Sequence, residues 1–449
     1  MLEVPIWRCG HEAASLTTSV LRDYRGEPLA RVHHAPALLV HRVVSRLRAA
    51  APGPEEDPES RWDAIARAGE LLTGSRLGGL GPEDHARLVT RATGAPLAWS
   101  RQALAELAGG LREIRSALHW QAPGGDLTVF RTRRVALPDG RTYAWVPAGR
   151  VLGFVAPSNH PTVHLTWVLA LAMGWSVAVR PGSDDPLTPW RLALALRAAG
   201  FPAERIALLP GGHDLVPALV EACDRTVAYG GPVLADLLGR DARVLMNGPG
   251  RSRVLVDAPA DPDATAGFLL ECILHDGGRK CTCASAVLVR GEVPGLLDGL
   301  AGKLAAIPLL DPLDPAARVP AWKDPDAARR TPGRVVVHDG VTFVQPELVR
   351  CPDPFAPPFG LELPAPWATA AELPAGADPL PLLRGSLAVT LLTRDPGLVE
   401  ACLTEPTIAK VFAGPVPPWF TEPGAPHHGR LSEFLFTSKA FREEGQPWR

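Results

Sequence analysis

The chain lacks an excess of charge of one sign: 46 lysines and arginines stand against 48 aspartates and glutamates, a formal net charge of -2. Phosphate recognition normally requires a basic face, so this balance argues against a nucleic-acid partner. Residues 1–5 lack the basic stretch and apolar run of a secretory signal. The longest apolar stretch, residues 163–179, is slightly short for a membrane span and contains His164, Thr166 and Ser176. We therefore predict a cytoplasmic protein without a membrane span.

Paired cysteine patterns are also scarce. The number of cysteines is odd and they are scattered through apolar segments, which favours a reducing compartment over a disulfide framework. They are Cys9, Cys223, Cys272, Cys281, Cys283, Cys351 and Cys402. Structural zinc sites usually show two spaced pairs of ligands. Because no second pair accompanies Cys281 and Cys283, we predict no metal, although these two thiols with His275 leave a zinc interpretation open.

The composition is that of an ordinary globular protein, with 46% hydrophobic and 21% charged residues and enough length for two or three domains. The first third is predicted to be helical, because leucine and isoleucine recur at steps of three and four between residues 104 and 118. Alternation over residues 130–155, with a Pro-Asp-Gly turn at 138–140, predicts a β-hairpin. This hairpin is a candidate arm.

Strand-like and helix-like segments then alternate. Strands are predicted at 151–156, 176–180, 205–209, 225–229 and 242–246, with helices at 162–173, 187–199, 214–223 and 232–238. This order predicts a parallel, doubly wound sheet, and such sheets bind ligands beyond the carboxyl ends of their strands. A smaller α/β unit is predicted to begin near Arg253.

The usual dinucleotide fingerprint G-x-G-x-x-G is absent. Gly230 and Gly231, at the start of a predicted helix, still offer backbone N–H groups to a pyrophosphate. A tight strand-to-helix turn would use the same two glycines.

Cys281 lies in the segment G-G-R-K-C-T-C-A at 277–284, between a helix-like run and a strand-like run. A free cysteine is often a small buried hydrophobe, so packing remains an alternative. Arg279 and Lys280 favour a nucleophile, because nearby cations lower the pKa of a thiol.

Four segments together resemble the aldehyde dehydrogenase superfamily. A-P-S-N-H-P at 156–161 looks like that family's P-W-N-F-P, and R-P-G-S-D-D-P at 180–186 looks like K-P-x-x-x-x-P. G-F-P at 200–202 with L-P-G-G at 209–212 resembles its next loop, and G-R-K-C-T at 278–282 resembles G-Q-K-C-T. The order and spacing of the family pattern are matched from about residue 60 to 290, and the likeness in the last third of the chain is weaker.

The resemblance implies an aldehyde-dehydrogenase-like α/β fold with a Rossmann-type nucleotide-binding domain, an α/β catalytic domain and a β-hairpin oligomerisation arm. The expected domains are 1–128 with 149–250 for nucleotide, 251–418 for catalysis, and 129–148 with 419–449 for the arm. It implies that Cys281 is the nucleophile and that Asn159 donates to the oxyanion. The implied cofactor-binding residues are Ala156, Pro157, Arg180, Pro181, Ser183, Gly212, Gly230 and Gly231.

Three departures from the family pattern shape the expected chemistry. Where hydrolytic members place a glutamate in E-L-G-G-K, this chain has M-N-G-P-G-R at 246–251, so Asn247 replaces the base that activates water. The stretch 247–250 looks like that of CoA-acylating members. The family's E-x-F-G, whose glutamate holds the nicotinamide ribose, is P-P-F-G at 357–360. Ser183 replaces an acid, so NADP is expected as cofactor, with NAD as the alternative.

These features predict NAD(P)H-dependent reduction of an acyl-CoA or acyl-carrier-protein thioester to an aldehyde, or the reverse, through a thioester on Cys281. The first alternative is a hydrolytic aldehyde dehydrogenase that uses another base, such as Glu362 or Glu271. The second is a non-catalytic partner subunit that has kept the fold.

The C-terminal segment is expected to serve assembly. Residues 434–436 are predicted to form an oligomer strand of a homodimer or homotetramer, as in relatives that add this strand to a partner's sheet. His427 and His428 are predicted to be surface loop residues.

Overall fold

The first third of the chain combines short strands with a group of helices. The computed structural model describes residues 1–53, 56–257 and 261–442. The strands are β1 (Leu2–Val4), β2 (Ile6–Arg8), β3 (His11–Ala13), β4 (Thr18–Arg22) and β5 (Pro28–His33). The helices are α1 (Ala37–Ala50), α2 (Pro58–Gly74), α3 (Pro82–Thr93), α4 (Leu97–Arg112), α5 (Ile114–Gln121) and α6 (Val129–Thr132).

Residues 2–33 therefore depart from the helical prediction. Their strands are only three to six residues long, too short to show a period. β1, β5 and β4 pair with one another in a separate three-stranded sheet. β2 pairs with β3 and runs antiparallel to β10 (Ile206–Leu208) at the edge of a larger sheet. The predicted hairpin is present as β6 (Arg134–Ala136) and β7 (Thr142–Pro147).

A seven-stranded sheet, called here the first sheet, forms the middle of the chain. Its further strands are β8 (Val151–Val155), β9 (Ser176–Arg180), β11 (Arg225–Tyr229) and β12 (Val244–Asn247). The connecting helices are α7 (Leu165–Ala172), α8 (Leu187–Ala198), α9 (Leu215–Ala222) and α10 (Pro232–Leu238). The order β12-β11-β8-β9-β10-β2-β3 is parallel from β12 to β10, as predicted.

This strand order has a switch point between β8 and β11. After β8 the chain adds β9 and β10 on one side, and then returns to add β11 and β12 on the other. Open α/β sheets bind ligands at such a point, outside the carboxyl ends of the strands. Because helices cover both faces, β8 and β9 are buried along their whole length.

A six-stranded parallel sheet, the second sheet, follows in the order β17-β18-β14-β13-β19-β20. Its strands are β13 (Ser252–Asp257), β14 (Ala284–Arg290), β17 (Glu347–Arg350), β18 (Trp367–Leu373), β19 (Ala388–Leu392) and β20 (Lys410–Ala413). A separate hairpin pairs β15 (Val335–His338) with β16 (Val341–Val344). The helices are α11 (Pro262–Leu274), α12 (Leu296–Ala305), α13 (Pro325–Arg329), α14 (Leu380–Leu383) and α15 (Pro396–Thr404).

The C-terminal segment adds a third strand to the hairpin of its own chain. After α16 (Leu431–Leu435), β21 (Phe436–Ala440) pairs antiparallel with β7 in the order β21-β7-β6. The predicted strand at 434–436 is thus shifted, because Phe434 and Leu435 end the helix. Phe436 stacks on Trp145 with ring centroids 4.0 Å apart, which holds the strand in this register. Residues 443–449 of the predicted arm lie outside the described residues.

The predicted α/β fold, with a doubly wound parallel core, a second α/β unit and a β-hairpin, is confirmed. None of the helices in the described part of the chain is both long and apolar enough to cross a bilayer.

Candidate active site

The segment that carries Cys281 is a tight, buried loop between α11 and β14. Its backbone is left-handed at Asp276 (φ 52°), Gly277 (φ 65°) and Gly278 (φ 73°). A Cβ at Gly278 would lie 2.2 Å from the carbonyl oxygen of Ala365, so this position requires glycine on two grounds. The two adjacent glycines therefore indicate that the loop carrying Cys281 packs closely against a neighbouring backbone.

The connection between the two sheets passes directly beside Cys281. A Cβ built on Gly250 would lie 1.7 Å from the carbonyl oxygen of Cys281, and the same oxygen accepts a hydrogen bond from Ser252 Oγ at 3.0 Å. The nucleophile candidate is thus held by the chain as it leaves the first sheet and enters β13.

Asn159 approaches the loop that carries Cys281 from the segment that follows β8. Its Nδ2 donates to the carbonyl oxygen of Arg279 at 3.0 Å, across 120 residues of sequence. Its Oδ1 is buried and makes no hydrogen bond to any of the described residues. One N–H of the amide is therefore used to orient the group, and the second remains for a ligand. The structure brings the two predicted catalytic residues together.

The thiol of Cys281 is protonated in this environment. Burial, aided by the carboxylate of Glu362, raises its pKa to about 12, and the opposing effects of Lys410 and Lys280 are smaller. The expectation that the adjacent cations make the thiol acidic is therefore wrong. Lys280 is already engaged with acids, and Arg279 donates instead to two backbone carbonyl oxygens.

A buried charged cluster joins the two loops. His160 Nε2 lies 2.6 Å from Asp276 Oδ2, and Lys280 Nζ lies 3.0 Å from the same oxygen and 3.1 Å from Glu106. Burial alone would raise the pKa of Asp276, but the contacts from His160 and Lys280 hold it well below its usual range. His275 lies 3.3 Å from Lys280. This cluster was not predicted from the sequence; its visible sign was His160, which stands where the family pattern has phenylalanine.

Glu362 lies close enough to the thiol for its charge to contribute to the raised pKa of Cys281. Its carboxylate accepts the backbone N–H of Arg251 at 2.8 Å, yet burial raises its pKa above the usual value. Asn247 is only 5% exposed and, like Cys281, lines a cavity described below. Glu271, the other carboxylate considered as a base, is half exposed and pairs with Arg318 at 2.9 Å. Glu362 is therefore better placed than Glu271 to exchange a proton near Cys281.

A cavity of about 750 Å³ opens onto Cys281 and Asn159. Its walls are mostly apolar, as in small-molecule sites generally. Lys410, His427 and His428 also line it. The prediction that the paired histidines are surface loop residues is therefore incomplete, because both also contribute to the cavity. His275 stacks on Trp419, with ring centroids 3.9 Å apart, at the same cavity.

The predicted cofactor-binding residues gather along the carboxyl edge of the first sheet. Ala156 and Pro157 follow β8; Arg180, Pro181 and Ser183 end or follow β9; Gly212 follows β10; and Gly230 and Gly231 follow β11. They therefore include both loops that flank the switch point.

Within this edge, Arg180 is a buried cation. Its side chain is 6% exposed, and its Nε donates to the carbonyl oxygen of Gly212 at 3.3 Å. Burial lowers its pKa and the nearby carboxylate of Asp214 opposes this, although the two form no direct ion pair within 4 Å. Open space surrounds a Cβ built on Gly231. The two acids after Ser183 are both engaged: Asp184 pairs with Lys323 at 2.7 Å, and Asp185 accepts the N–H of Thr188 at 2.9 Å.

Across residues 1–53, 56–257 and 261–442, no group of three or more His, Cys, Asp or Glu side chains could hold a metal ion. Cys283 is buried, and its thiol donates to the carbonyl oxygen of His275 at 3.1 Å.

Curated relatives of this chain are aldehyde dehydrogenases by name. Retinaldehyde dehydrogenase 3 of Mus musculus is 29% identical over 53% of this chain and 47% of its own length. Aminoacetaldehyde dehydrogenase of Pseudomonas aeruginosa is 28% identical over 67% of this chain and 61% of its own length. The chain thus spans less than two thirds of either relative.

Solved structures share the fold over nearly the whole chain. An NAD-dependent aldehyde dehydrogenase from Sinorhizobium meliloti superposes with a TM-score of 0.82 at 17% identity, covering 100% of this chain and 96% of that one. An indole-3-acetaldehyde dehydrogenase solved with NAD+ gives 0.80 at 22% identity, covering 98% and 96%.

The relatives named here are ordinary aldehyde dehydrogenases, so the finer resemblance to CoA-acylating enzymes stays a prediction. The match to the aldehyde dehydrogenase family itself extends over residues 11–336, most of the 449 residues. This chain belongs to the aldehyde dehydrogenase family.

Proposed function

We propose that this protein is an NAD(P)-dependent aldehyde dehydrogenase that oxidises its substrate through a thioester on Cys281. The observation that carries the proposal is the meeting of Asn159 and Cys281 at one cavity, although they come from different sheets. The names of the relatives support the same reaction class.

The carboxyl edge of the first sheet fits a dinucleotide. Arg180 supplies a buried cation that forms no direct ion pair within the described residues, and the open space at Gly231 leaves backbone accessible at the start of α10. Val233 and Leu237, exposed by 85% and 64%, offer an apolar surface on that helix against which a nucleotide base of the cofactor can pack. Arg180, Ser183, Gly230 and Gly231 would hold the cofactor together with Ala156, Pro157, Pro181 and Gly212. When bound, the nicotinamide accepts a hydride.

The chain's own residues account for the covalent steps. Because the thiol of Cys281 is protonated, it must lose its proton, and Glu362 is the carboxylate beside it. The sulfur then adds to the aldehyde carbon. The free N–H of Asn159 donates to the oxygen that becomes negative, which stabilises it by about 3 kcal/mol. Loss of hydride from this adduct leaves the acyl group on sulfur.

The acyl group then leaves by one of two routes. The first is hydrolysis with Glu362 as the base for water, and the raised pKa and position of this carboxylate favour it. The second is transfer to the thiol of CoA or of an acyl-carrier protein, whose reverse is thioester reduction. Asn247 favours the second route, because an amide does not accept the proton of water. We propose hydrolysis as the main activity and acyl transfer as the second candidate.

Purified enzyme should be given a panel of aldehydes with NAD+ or NADP+, and NAD(P)H formation should be followed by absorbance. The expected result is activity that Cys281→Ser abolishes, with an acyl adduct on Cys281 detected by mass spectrometry. Equal rates in both proteins would remove Cys281 from the mechanism. Absence of nicotinamide binding in calorimetry would instead favour a non-catalytic partner subunit.

The two routes are separated by their products. Hydrolysis predicts free acid without any added thiol and a loss of turnover in Glu362→Gln. Acyl transfer predicts product only when CoA or a carrier protein is present, and it predicts NAD(P)H oxidation with acyl-CoA.

For assembly, we propose a homodimer or homotetramer formed through the arm of β6, β7 and β21. This strand trio leaves β21 and β6 as edges for a second copy. Light scattering that shows a monomer would contradict the proposal.

A further inference from the structure

One part of the lining of the cavity beside Cys281 carries a lysine and two histidines. These are Lys410, His427 and His428, and this set is called here the basic wall. Burial, together with the charge of Lys410, lowers the pKa of both imidazoles, so Lys410 is the group that carries the positive charge. The two imidazole rings contact each other edge to face, with centroids 4.9 Å apart.

The sheet topology brings Lys410 to the nucleophile. Lys410 begins β20, which pairs with β19, and β19 pairs with β13. Two strand spacings, about 10 Å, therefore separate β20 from β13. Ser252, at the amino end of β13, is the residue that holds the carbonyl oxygen of Cys281. The long side chain of Lys410 thus starts from the same edge of the sheet and faces the same cavity as the thiol.

The other charged groups of the cavity are already paired or lie at its exposed rim. Glu106 pairs with Lys280, and Glu271 pairs with Arg318. The exposed rim groups are Glu113 and Glu422.

Lys410 differs from these groups. It is half-buried, burial lowers its pKa, and in the described part of the chain no carboxylate lies within 4 Å of its ammonium. A cation withdrawn from water without a counter-ion is costly, and an anionic ligand beside it would offset that cost.

We propose that the basic wall binds an anionic group of the substrate, so that the preferred substrates are aldehydes carrying a carboxylate or phosphate near the carbonyl. This inference rests on the proposed function for the reaction, and on the basic wall for the substrate class. Lys410 supplies the charge, and His427 supplies a ring N–H. The apolar walls opposite take the carbon chain of the substrate.

Alkylation of Cys281 tests the basic wall without any turnover. Iodoacetate carries a carboxylate and iodoacetamide a neutral amide, so the ratio of their rates at Cys281, measured by mass spectrometry, reports anion binding beside the thiol. We expect Lys410→Gln to lower the iodoacetate-to-iodoacetamide ratio by about tenfold. The exposed Lys439→Gln serves as the matched control and should leave the ratio unchanged. His427→Gln is the second variant, with a smaller decrease.

An unchanged ratio in Lys410→Gln would overturn the proposal. An equal decrease of both rates would also overturn it, because Lys410 would then act on ionisation of the thiol instead of on the ligand. Thermal midpoints of all variants establish that each protein is folded.

Steady-state kinetics then identify the anion. Aldehydes of equal length ending in a carboxylate, a phosphate or a neutral amide should be compared. Lys410→Gln is expected to raise KM for the acidic aldehydes about tenfold and to leave the neutral one unchanged. A wild-type preference for the neutral aldehyde would refute the inference while leaving the proposed oxidation intact. If no aldehyde is oxidised, the proposed function fails, and the alkylation ratio still decides about the basic wall.

Discussion

Acidification from pH 7 to pH 5 is expected to destabilise the fold through two buried histidines, His85 and His164. They are 2% and 1% exposed. His164 Nδ1 accepts the indole N–H of Trp167 at 2.9 Å, so this nitrogen must be unprotonated. His85 lies near the guanidinium of Arg191, which also disfavours a second positive charge. Burial lowers the pKa of each imidazole from 6.5 to about 3.

The sign and size follow from proton uptake. The unfolded chain binds a proton at each histidine near pH 6.5, whereas the folded chain does not bind one until about pH 3. The free energy of unfolding therefore decreases as the pH is lowered through this window. At pH 5 the gap of about 1.5 pH units corresponds to about 2 kcal/mol for each histidine. His160 and His275, whose pKa values are also lowered by burial, change stability in the same direction.

Urea unfolding followed by fluorescence at pH 7 and pH 5 measures this effect. His164→Gln, which does not titrate, should reduce the difference between the two pH values by about 2 kcal/mol. The exposed His11→Gln should leave the difference as in the wild type. A His164→Gln protein that loses as much stability as the wild type would refute the reasoning.

Three further outcomes are expected. Asn159→Ala should lower kcat by about 10²- to 10³-fold in steady-state assays, because it removes a donor to the oxyanion. Gly250→Ala should lower the free energy of unfolding by about 3 kcal/mol or more, since its Cβ would overlap the carbonyl of Cys281. Gly248→Ala, where a Cβ meets open space, is its control in urea titrations. Arg180→Gln should weaken dinucleotide binding at least about tenfold in calorimetry, because a charged hydrogen bond is lost.

The doubly wound core was predictable because its strands are buried on both faces. Such strands form continuous apolar runs separated by helical segments, and β9 and β11 coincide with the predicted bounds. The strands of residues 2–33 were not predictable by the same means. β2 joins the first sheet only by pairing with β10, which lies about 200 residues away, while β1, β5 and β4 pair with one another in a separate three-stranded sheet; local periodicity indicates neither arrangement.

For the site, the meeting of Asn159 and Cys281 was inferred only through the resemblance of their segments to a family. The cluster around Asp276 was not foreseen, because Glu106 and Lys280 are 174 residues apart and their contact requires α4 to cover the cysteine loop. The acidity of the thiol was misjudged for a related reason. Sequence proximity placed two cations beside Cys281, but it did not show that burial would prevail.

Lys410 illustrates the same limit. The residues next to Lys410 in the sequence do not indicate an anion-binding role, since the orientation of its side chain follows from the pairing of β20 with β19. Only the register of the second sheet points this side chain toward the cavity.

The position of Gly250 has a consequence for how activity responds to mild stress. The peptide that crosses between the sheets contacts the backbone of Cys281, while Asn159 arrives from the first sheet. Competence for chemistry therefore requires alignment between two separately packed cores, each of which keeps its own helices and strands. In dilute denaturant, enzyme activity is expected to be lost before either core unfolds. Activity is therefore a sensitive measure of the alignment between the two cores.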